Sequence, residues 1–446
     1  MKPTLALLNP PASLPTMRDY FCSSSSKMGY LWQPIDLVCQ SGYLDAEFTL
    51  ALLDAPAQEL TEAQTLAKLT ALRPAVIFAL VGTANFPDDF NFLERAAQAT
   101  GARIFVSGDL TRFYPQQVLA RFPFVEGVLL DFTGAALRDF LVDQIHDPSL
   151  FLRGELRRPW AQRHNSFFYP LPRHDLFRAL PYRMPFLGLR FASLLTSLGC
   201  PFGCAYCNSG AHGFTERERD NLFAELDALR DAGVRHLFVK DMTFNVSARR
   251  AILLLDQWGA RGYDFRWLGY FRAETIDAEL AALLKATGCA IAQIGLESAS
   301  TTLLADLRPT FDHERARQGL AHLERAGVCY GAHFIFGLPG DDEEGWRRTI
   351  DLARSLKLRY ASFNIYTPRP GSALAGDAVD FTALRMDPSR LAEPSAAASA
   401  VRRANRAFYG RARYWPGLLR CLLATGGFRA TLALARHWRR SRGKRP

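Results

Sequence analysis

The chain has 446 residues, of which 48% are hydrophobic and 22% are charged. This length exceeds what a single hydrophobic core usually serves, and the composition excludes a disordered chain or a fibre, so we expect at least two folded domains. The net charge is +10, but residues 401–446 contain 13 Lys and Arg and no Asp or Glu. Of the 54 basic and 44 acidic residues, 41 basic and all 44 acidic ones lie outside that segment. The body therefore has no nucleic-acid-binding signature, and we expect no nucleic-acid partner.

Apolar runs and cysteines indicate the compartment. The sequence has no stretch of about 18 or more uncharged apolar residues, so a membrane-spanning helix is not expected. Eight cysteines without a paired framework, in a chain of this length, are typical of a reducing environment. The sequence therefore predicts a cytoplasmic protein.

In residues 1–150 short apolar runs alternate with helical patterns. Strands are predicted at residues 4–8, 48–53, 75–81, 103–107 and 127–131, and helices at 33–44, 62–72, 90–100 and 115–121. Uninterrupted apolar strands that alternate with helices favour an α/β fold, a Rossmann-like (flavodoxin-like) parallel sheet covered on both faces. Ligands of such sheets bind at the carboxyl ends of the strands. The chain has neither a Walker A sequence nor a G-x-G-x-x-G motif, which argues against a nucleoside triphosphate or a dinucleotide.

Residues 151–188 are rich in Pro, Arg and aromatic residues and lack periodicity, which predicts a linker. The alternation resumes in residues 189–385. Strands are predicted at 189–197, 236–240, 266–269, 290–296, 330–336 and 361–366, and helices at 217–232, 248–259, 278–287, 315–326 and 343–356. Six such units predict a partial (β/α)6 barrel with functional loops at the carboxyl ends of its strands. Residues 386–446 are predicted to form a helical, Arg-rich C-terminal region.

Three cysteines follow the first strand of the predicted barrel directly. They are Cys200, Cys204 and Cys207 in the segment CPFGCAYC. Three thiolates on one short loop can hold a metal ion or an iron–sulfur cluster, and three rather than four leave one coordination site open. The alternative is a structural zinc site with His212 as the fourth ligand. The other cysteines have no ligand spacing, and most are expected to be small buried hydrophobes: Cys22, Cys39, Cys289, Cys329 and Cys421.

This loop resembles the signature of the radical S-adenosylmethionine (SAM) enzymes, including the aromatic residue before the third cysteine. Residues 295–298 (GLES) are similar to the family's G-x-E-S, residues 336–341 (FGLPGD) to its G-L-P-G-E/D, and residues 368–372 (PRPGS) to its P-x-P-G-T. The resemblance implies a [4Fe–4S] cluster on the three cysteines, with the fourth iron free to bind SAM. It also implies SAM contacts, with the carboxylate on the ribose hydroxyls, from Tyr206, Glu297, Ser298, Gly337, Pro339 and Gly340.

A Rossmann-like half that begins with Asn9-Pro10-Pro11 and precedes such a barrel resembles the cobalamin (B12)-dependent branch of this family. The resemblance implies cobalamin contacts from residues at strand ends, namely Asn9, Thr83, Ser107 and Gly108. The motif D-x-H-x-x-G is absent, and the first 145 residues contain no histidine. No imidazole from this half can therefore ligate cobalt. The alternative is a degenerate flavodoxin-like domain that binds nothing.

The resemblance implies a C-methyltransferase that moves a methyl group from methylcobalamin to an unactivated carbon of a lipid or natural product. A 5′-deoxyadenosyl radical would first abstract hydrogen, and a flavodoxin or ferredoxin would supply the electron. The alternatives are a B12-binding radical SAM cyclase or ring-rearranging enzyme and, in another class, a non-catalytic zinc- or cobalamin-binding protein. No catalytic side chain is assigned, and the candidate barrel-lining residues are Asp241, Arg272, Gln293 and His333.

The basic C-terminal segment has a helical pattern of its own. On a helix over residues 428–440, three arginines form one row, and an apolar face lies opposite. The arginines are Arg429, Arg436 and Arg440, and the apolar residues are Phe428, Leu432, Leu434, Ala435 and Trp438. Two interpretations stay open: a helix packed on the enzyme body, and an interfacial helix on an anionic membrane at the inner membrane face.

Overall fold

The computed structural model describes residues 2–20, 23–26, 29–155, 166–187, 190–308, 310–376, 379–382, 384–386, 394–412, 414–425, 427–429, 431–432 and 435–436. The strands of the first half are β1 (Thr4–Asn9), β2 (Thr16–Arg18), β3 (Ser23–Ser25), β4 (Thr49–Asp54), β5 (Val76–Leu80), β6 (Arg103–Ser107), β7 (Val125–Leu129) and β8 (Leu150–Leu152). Its helices are α1 (Ile35–Leu44), α2 (Ala55–Gln58), α3 (Glu62–Leu72), α4 (Asp88–Thr100), α5 (Pro115–Arg121) and α6 (Ala136–Asp143).

Six of these strands form one sheet in the order β4-β1-β5-β6-β7-β8. All neighbours in this sheet are parallel except β7 and β8, which are antiparallel. The five parallel strands of this sheet, numbered among themselves in chain order, thus have the 2-1-3-4-5 order of flavodoxin-like sheets. Every side chain of β5 is buried because helices cover both faces of the sheet. The predicted strands and helices are present with small shifts of their ends. The elements that were not predicted are the antiparallel edge strand β8, the short strands β2 and β3, and the helices α2 and α6.

Between the halves lie β9 (Ser166–Phe167) and α7 (His174–Arg178). The strands of the second half are β10 (Ala192–Leu194), β11 (Ser197–Gly199), β12 (Phe214–Arg217), β13 (His236–Val239), β14 (Arg266–Phe271), β15 (Cys289–Glu297), β16 (Tyr330–Phe336) and β17 (Ala361–Ile365). Its helices are α8 (Arg219–Asp231), α9 (Ala248–Ala260), α10 (Ala278–Ala286), α11 (Thr301–Leu307), α12 (His313–Ala326) and α13 (Glu343–Ser355).

Six parallel strands of the second half form a sheet in the order β10-β13-β14-β15-β16-β17. Strands neighbour one another in chain order, as expected for successive βα units that wind in one direction. The first predicted strand is divided: β11 leaves this sheet and pairs with β12, which also pairs with β9. That small sheet and helix α11 were not predicted.

A buried polar contact joins the two halves. Lys240, which follows β13, places its Nζ 2.6 Å from the Asp19 carboxylate and 3.9 Å from the ring centre of Trp32. Both charged side chains are fully buried. The Trp32 indole also donates to Asp19, at 2.6 Å. Because a buried ion needs its partner, this contact fixes how the first half sits against strand β13.

The C-terminal region begins with a short hairpin, β18 (Val379–Asp380) and β19 (Arg385–Met386), and continues in α14 (Pro394–Tyr409) and α15 (Tyr414–Thr425). Residues 428–429, 431–432 and 435–436 are helical. Leu434, Trp438 and Arg440 of the predicted amphipathic helix lie outside the described residues. No helix in the described part of the chain is both long and apolar enough to cross a membrane.

Candidate active site

The cysteine loop, residues 200–208, follows the carboxyl end of β11 and returns through a 3₁₀ turn at Ser209–His212 to β12. Its backbone is tied to distant parts of the chain. The amide of Ala205 donates to the carbonyl of Leu307 at 2.8 Å, and its carbonyl accepts from the amide of Leu374 at 3.0 Å. The loop is therefore held between the end of α11 and the segment after β17.

The three thiols differ in exposure. Cys200 is buried, whereas Cys204 and Cys207 are partly exposed, and all three are free thiols. Burial raises the pKa of Cys200, and it raises the pKa of Cys204 to about 11, so metal binding here would release protons. Three free thiols on one anchored loop fit an iron–sulfur cluster with one iron left open.

The zinc alternative needs His212 as a fourth ligand beside the three thiols. His212 lies between the rings of Tyr20 and Phe113, with centroid distances of 5.5 and 5.7 Å. Among the described residues, no group of three or more His, Cys, Asp and Glu side chains is arranged to hold a metal ion. A zinc site gathers four ligands around one ion, whereas a four-iron cluster places each thiolate on a different iron.

Glu297 ends strand β15 with a φ of 63°, in the left-handed region that non-glycine residues avoid. Among the described residues, the groups that act on its carboxylate are the charges of Arg308 and Glu274, and no hydrogen-bond donor is among them. Removal from water raises its pKa to about 7; nearby Arg308 opposes the shift and Glu274 adds to it. A strained, unpaired carboxylate beside the cysteine loop is typical of a ligand-binding position.

An apolar cluster adjoins the loop. Its buried members are Leu303, Leu307, Leu338 and Tyr366, and Tyr206 packs against them. Gly337 and Gly340 have φ values of 78° and 85° and form the turn after β16, with Pro339 between them. This turn, the cysteine loop and Glu297 thus lie at the same edge of the barrel. Ser298 is different, because its hydroxyl is buried and accepts from the amide of Ser300 at 3.1 Å.

Two arginines of this edge form a charged network that sequence analysis did not connect. Arg308 is 4% exposed and donates to the carbonyl of Gly295 at 2.8 Å and to Glu274 at 3.2 Å. Arg272 pairs with the same Glu274 and lies 3.8 Å above the ring of Phe202 in the cysteine loop. Arg308 was missed because it belongs to no motif; only its place directly after an apolar helix end marks it.

The predicted cobalamin contacts all lie at the carboxyl edge of the first sheet. The Asn9 amide group donates to Asp54 at 3.0 Å and accepts from Arg18 at 2.8 Å. Ser107 donates to Asp36 at 3.0 Å, and Thr83 donates to Asp109 at 2.8 Å. These side chains therefore already have protein partners.

Gly108 allows two turns of this edge to lie close together. It has a φ of 137°, and a Cβ at this position would lie 1.9 Å from the carbonyl oxygen of Val81, so a larger residue would push the two turns apart.

The carboxyl edges of the two sheets face each other. The ring of Phe113, in the loop after β6, packs on Gly371 in the loop after β17, where a Cβ would lie 2.0 Å from the ring. His212 is 1% exposed, and neither ring nitrogen has a hydrogen-bond partner among the described residues. A buried unpaired imidazole is costly, so its position between the edges fits a polar ligand there, as cobalamin would be.

The four barrel-lining candidates do not form one site. Asp241 is fully buried, and its carboxylate accepts a hydrogen bond from the backbone amide of Thr196 at 2.7 Å. Gln293 and His333 meet at the hydroxyl of Tyr360, at 2.8 and 3.0 Å. Tyr360 directly precedes β17, so these two side chains face the amino end of the barrel rather than the cysteine loop. Arg272 alone lies beside the loop.

Comparison with known proteins agrees with this geometry. The family model described as the radical SAM superfamily matches residues 194–353. A Pyrococcus horikoshii protein named an uncharacterized methyltransferase is 25% identical over 367 residues, which cover 78% of each chain. The anaerobic magnesium-protoporphyrin IX monomethyl ester cyclase of Rubrivivax gelatinosus is 24% identical over 80% of this chain and 69% of its own.

Among solved structures, the radical SAM methyltransferase TsrM of Kitasatospora setae, with cobalamin and a [4Fe–4S] cluster bound, superposes with a TM-score of 0.68. It is 18% identical, and the match covers 87% of this chain and 80% of that one. A second structure of that protein holds tryptophan as substrate and a SAM analogue. Residues 194–353 thus match the radical SAM superfamily, and the chain has the fold of the cobalamin-dependent radical SAM methyltransferase TsrM.

Proposed function

We propose that this chain is a cobalamin-dependent radical SAM methyltransferase that methylates an unactivated carbon of a small molecule, either a lipid or a natural product. One observation carries the proposal: the carboxyl edge of the first sheet faces the barrel edge that bears the three thiols. At this boundary the ring of Phe113 packs on Gly371, and His212 packs beside Tyr20. Two cofactors that must meet one substrate carbon need such a shared boundary.

The residues divide into three groups by the cofactor they would hold. Cys200, Cys204 and Cys207 would hold the [4Fe–4S] cluster, Glu297 and the apolar cluster around Tyr206 would hold SAM, and the edge of the first sheet would hold cobalamin. When bound, the cluster supplies one electron to SAM, and cobalamin supplies a methyl carrier.

The side chains of this protein would orient SAM and shield it from water. The ionised Glu297 carboxylate accepts hydrogen bonds from ribose hydroxyls, which is a task for an acceptor-only group. The apolar cluster that packs against Tyr206 receives the adenine and keeps water away from it. Arg308 is anchored to the Gly295 carbonyl and keeps a positive charge beside the Glu297 carboxylate.

The cysteine loop is also the place where an electron donor would dock. Cys204 and Cys207 are partly exposed, and Pro201 and Gly203 between the cysteines are exposed. A small redox protein such as flavodoxin or ferredoxin would approach the cluster over this surface.

A second candidate function is a radical SAM cyclase or ring-rearranging enzyme without methyl transfer. Its support is the cyclase relative, which covers 80% of this chain. Both candidates use the same cysteine loop and the same SAM residues, so the products separate them better than the site does.

The test is anaerobic reconstitution with iron, sulfide and hydroxocobalamin, followed by reaction with methyl-labelled SAM, a reductant and extracts that contain candidate substrates. A methyltransferase gives a labelled product together with both S-adenosylhomocysteine and 5′-deoxyadenosine. A cyclase gives 5′-deoxyadenosine and an unlabelled product without S-adenosylhomocysteine. Protein that binds neither iron nor cobalamin would contradict both candidates.

A further inference from the structure

Helix α15 has one buried and one exposed apolar face. Tyr414, Cys421 and Leu422 are 6%, 3% and 5% exposed and pack on the enzyme body. The exposed side carries Trp415, 55% exposed, together with Leu419 at 46% and Leu423 at 62%. The helix is therefore already anchored, and its large exposed side chains are not needed to hold it in place.

These three side chains follow one another at intervals of four residues, so they lie in one row along the helix. We call them the apolar row. Single exposed leucines are ordinary on protein surfaces, whereas an ordered group of large apolar side chains marks an interaction surface. Beyond α15 the exposure continues at Phe428 and Leu432, which are 36% and 41% exposed.

The charge around the apolar row indicates its partner. Residues 401–446 contain 13 Lys and Arg and no acidic residue. Arg420 is exposed on α15 itself, and Arg429 is exposed just beyond the helix. Apolar side chains in a segment whose charged residues are all basic are complementary to an anionic bilayer surface, where the row enters the acyl boundary and the arginines meet the headgroups.

The position of α15 determines which end of the barrel would face the bilayer. The hydroxyl of Tyr414 donates at 2.7 Å to the carbonyl of Arg359, which lies two residues before β17. Cys421 belongs to a buried apolar cluster against which Cys329 packs, and Cys329 directly precedes β16. The helix therefore lies at the amino ends of the barrel strands, at the end opposite the cysteine loop. Contact through α15 would leave that loop open to a redox partner.

We propose that the apolar row of α15 and the neighbouring arginines dock this protein on the surface of an anionic phospholipid bilayer. This goes beyond the proposed methyl transfer, and it does not require a lipid substrate, because the candidate active site is at the other end of the barrel.

The test is sedimentation of the full chain with vesicles of mixed phosphatidylcholine and phosphatidylglycerol, and with vesicles of phosphatidylcholine alone. We expect binding to the anionic vesicles, with a blue shift of Trp415 emission obtained as the difference between the wild type and Trp415→Phe. Trp415→Ser, Leu419→Ser and Leu423→Ser should each weaken binding about tenfold. The double variant Arg420→Gln with Arg429→Gln should weaken binding to the anionic vesicles about fivefold per charge, and added salt should weaken it too.

The matched control is Leu253→Ser on α9, where the leucine is 42% exposed on another surface; it should leave binding unchanged. Reductive SAM cleavage by the reconstituted enzyme should be unaffected by the row variants, which separates this proposal from the proposed function. Equal binding to both kinds of vesicle, or no binding together with a dimer that the row variants dissociate, would overturn the proposal.

Discussion

The carboxyl edges of the two sheets are built in opposite ways. The edge of the second sheet presents groups that can still bind a ligand, namely the free thiols of the cysteine loop and the carboxylate of Glu297. At the edge of the first sheet the polar side chains bind one another. Arg18 donates to Asp89 at 2.6 Å and to Asn9 at 2.8 Å, and both ions of the Arg18–Asp89 pair are fully buried.

This difference indicates two ways of binding a cofactor. A cluster and SAM need side-chain ligands, which must be left unpaired until the ligand arrives. A cofactor on the first edge would meet a rigid surface whose side chains are already occupied, so shape, backbone groups and His212 would hold it. Asn9 and Ser107 would then support the surface rather than contact the cofactor.

The largest expected effect is at the cysteine loop. Cys204→Ala removes one of three ligands, so the reconstituted protein should lose the iron-dependent absorbance, and reductive SAM cleavage should fall at least about a thousandfold. The control is Cys289→Ala, which removes a buried thiol of β15 that has no ligand spacing. Cleavage that survives in the first variant, or disappears equally in both, would contradict the assignment of the loop.

The next largest effect tests the buried Arg18–Asp89 pair at the carboxyl edge of the first sheet. Arg18→Met leaves the Asp89 carboxylate buried without its ion partner, and the free energy of unfolding should fall by about 3–5 kcal/mol in urea denaturation of the apoprotein. Arg317→Met, which breaks an exposed pair with Glu314, should cost no more than about 1 kcal/mol. Equal losses in the two variants would show that the edge is not held by this network.

The sequence predicted the barrel edge better than the first edge, and the reason is physical. The thiols, Glu297 and the Gly337–Gly340 turn belong to short contiguous motifs, in which local spacing determines geometry. At the first edge the partners are far apart in sequence: Arg18 meets Asp89 across 71 residues. Strand patterns predicted where Asn9 and Ser107 lie but could not show that other side chains already occupy them.

Small pairings were missed for the same reason. The small sheet pairs β12 with β9 through Ser166 and Phe167, about fifty residues upstream of it. Two residues are too short for a period-two pattern to be visible, so only the folded chain brings them together.

An intermediate effect tests whether Glu297 acts as an ionised acceptor. Its pKa is raised to about 7 from 4.5, so the carboxylate is mostly protonated at pH 6 and ionised at pH 8. SAM affinity of the cluster-loaded wild type should therefore increase about tenfold between these pH values. Glu297→Gln should bind SAM roughly ten- to hundredfold more weakly than the wild type at pH 8, without this pH dependence.

A stability measurement gives the control for Glu297. A raised pKa means that the native state holds the proton more tightly than the unfolded chain, so wild-type stability should decline as pH rises from about 4.5 to about 7. Glu297→Gln should remove that part of the decline. A variant that retains the pH dependence of SAM binding would assign it to another group.

The smallest effect concerns His212, and there two measurements should move in opposite directions. His212→Phe keeps a ring between Tyr20 and Phe113 but removes two buried nitrogens that lack partners among the described residues. Without cobalamin, the variant should be more stable by about 1 kcal/mol, because a buried unpaired polar group costs free energy. Hydroxocobalamin should bind about tenfold more weakly, measured by its visible absorbance after gel filtration. If the imidazole were only a packing element, the variant would gain the same stability but cobalamin affinity would not change, because the ring would make no contact with the cofactor.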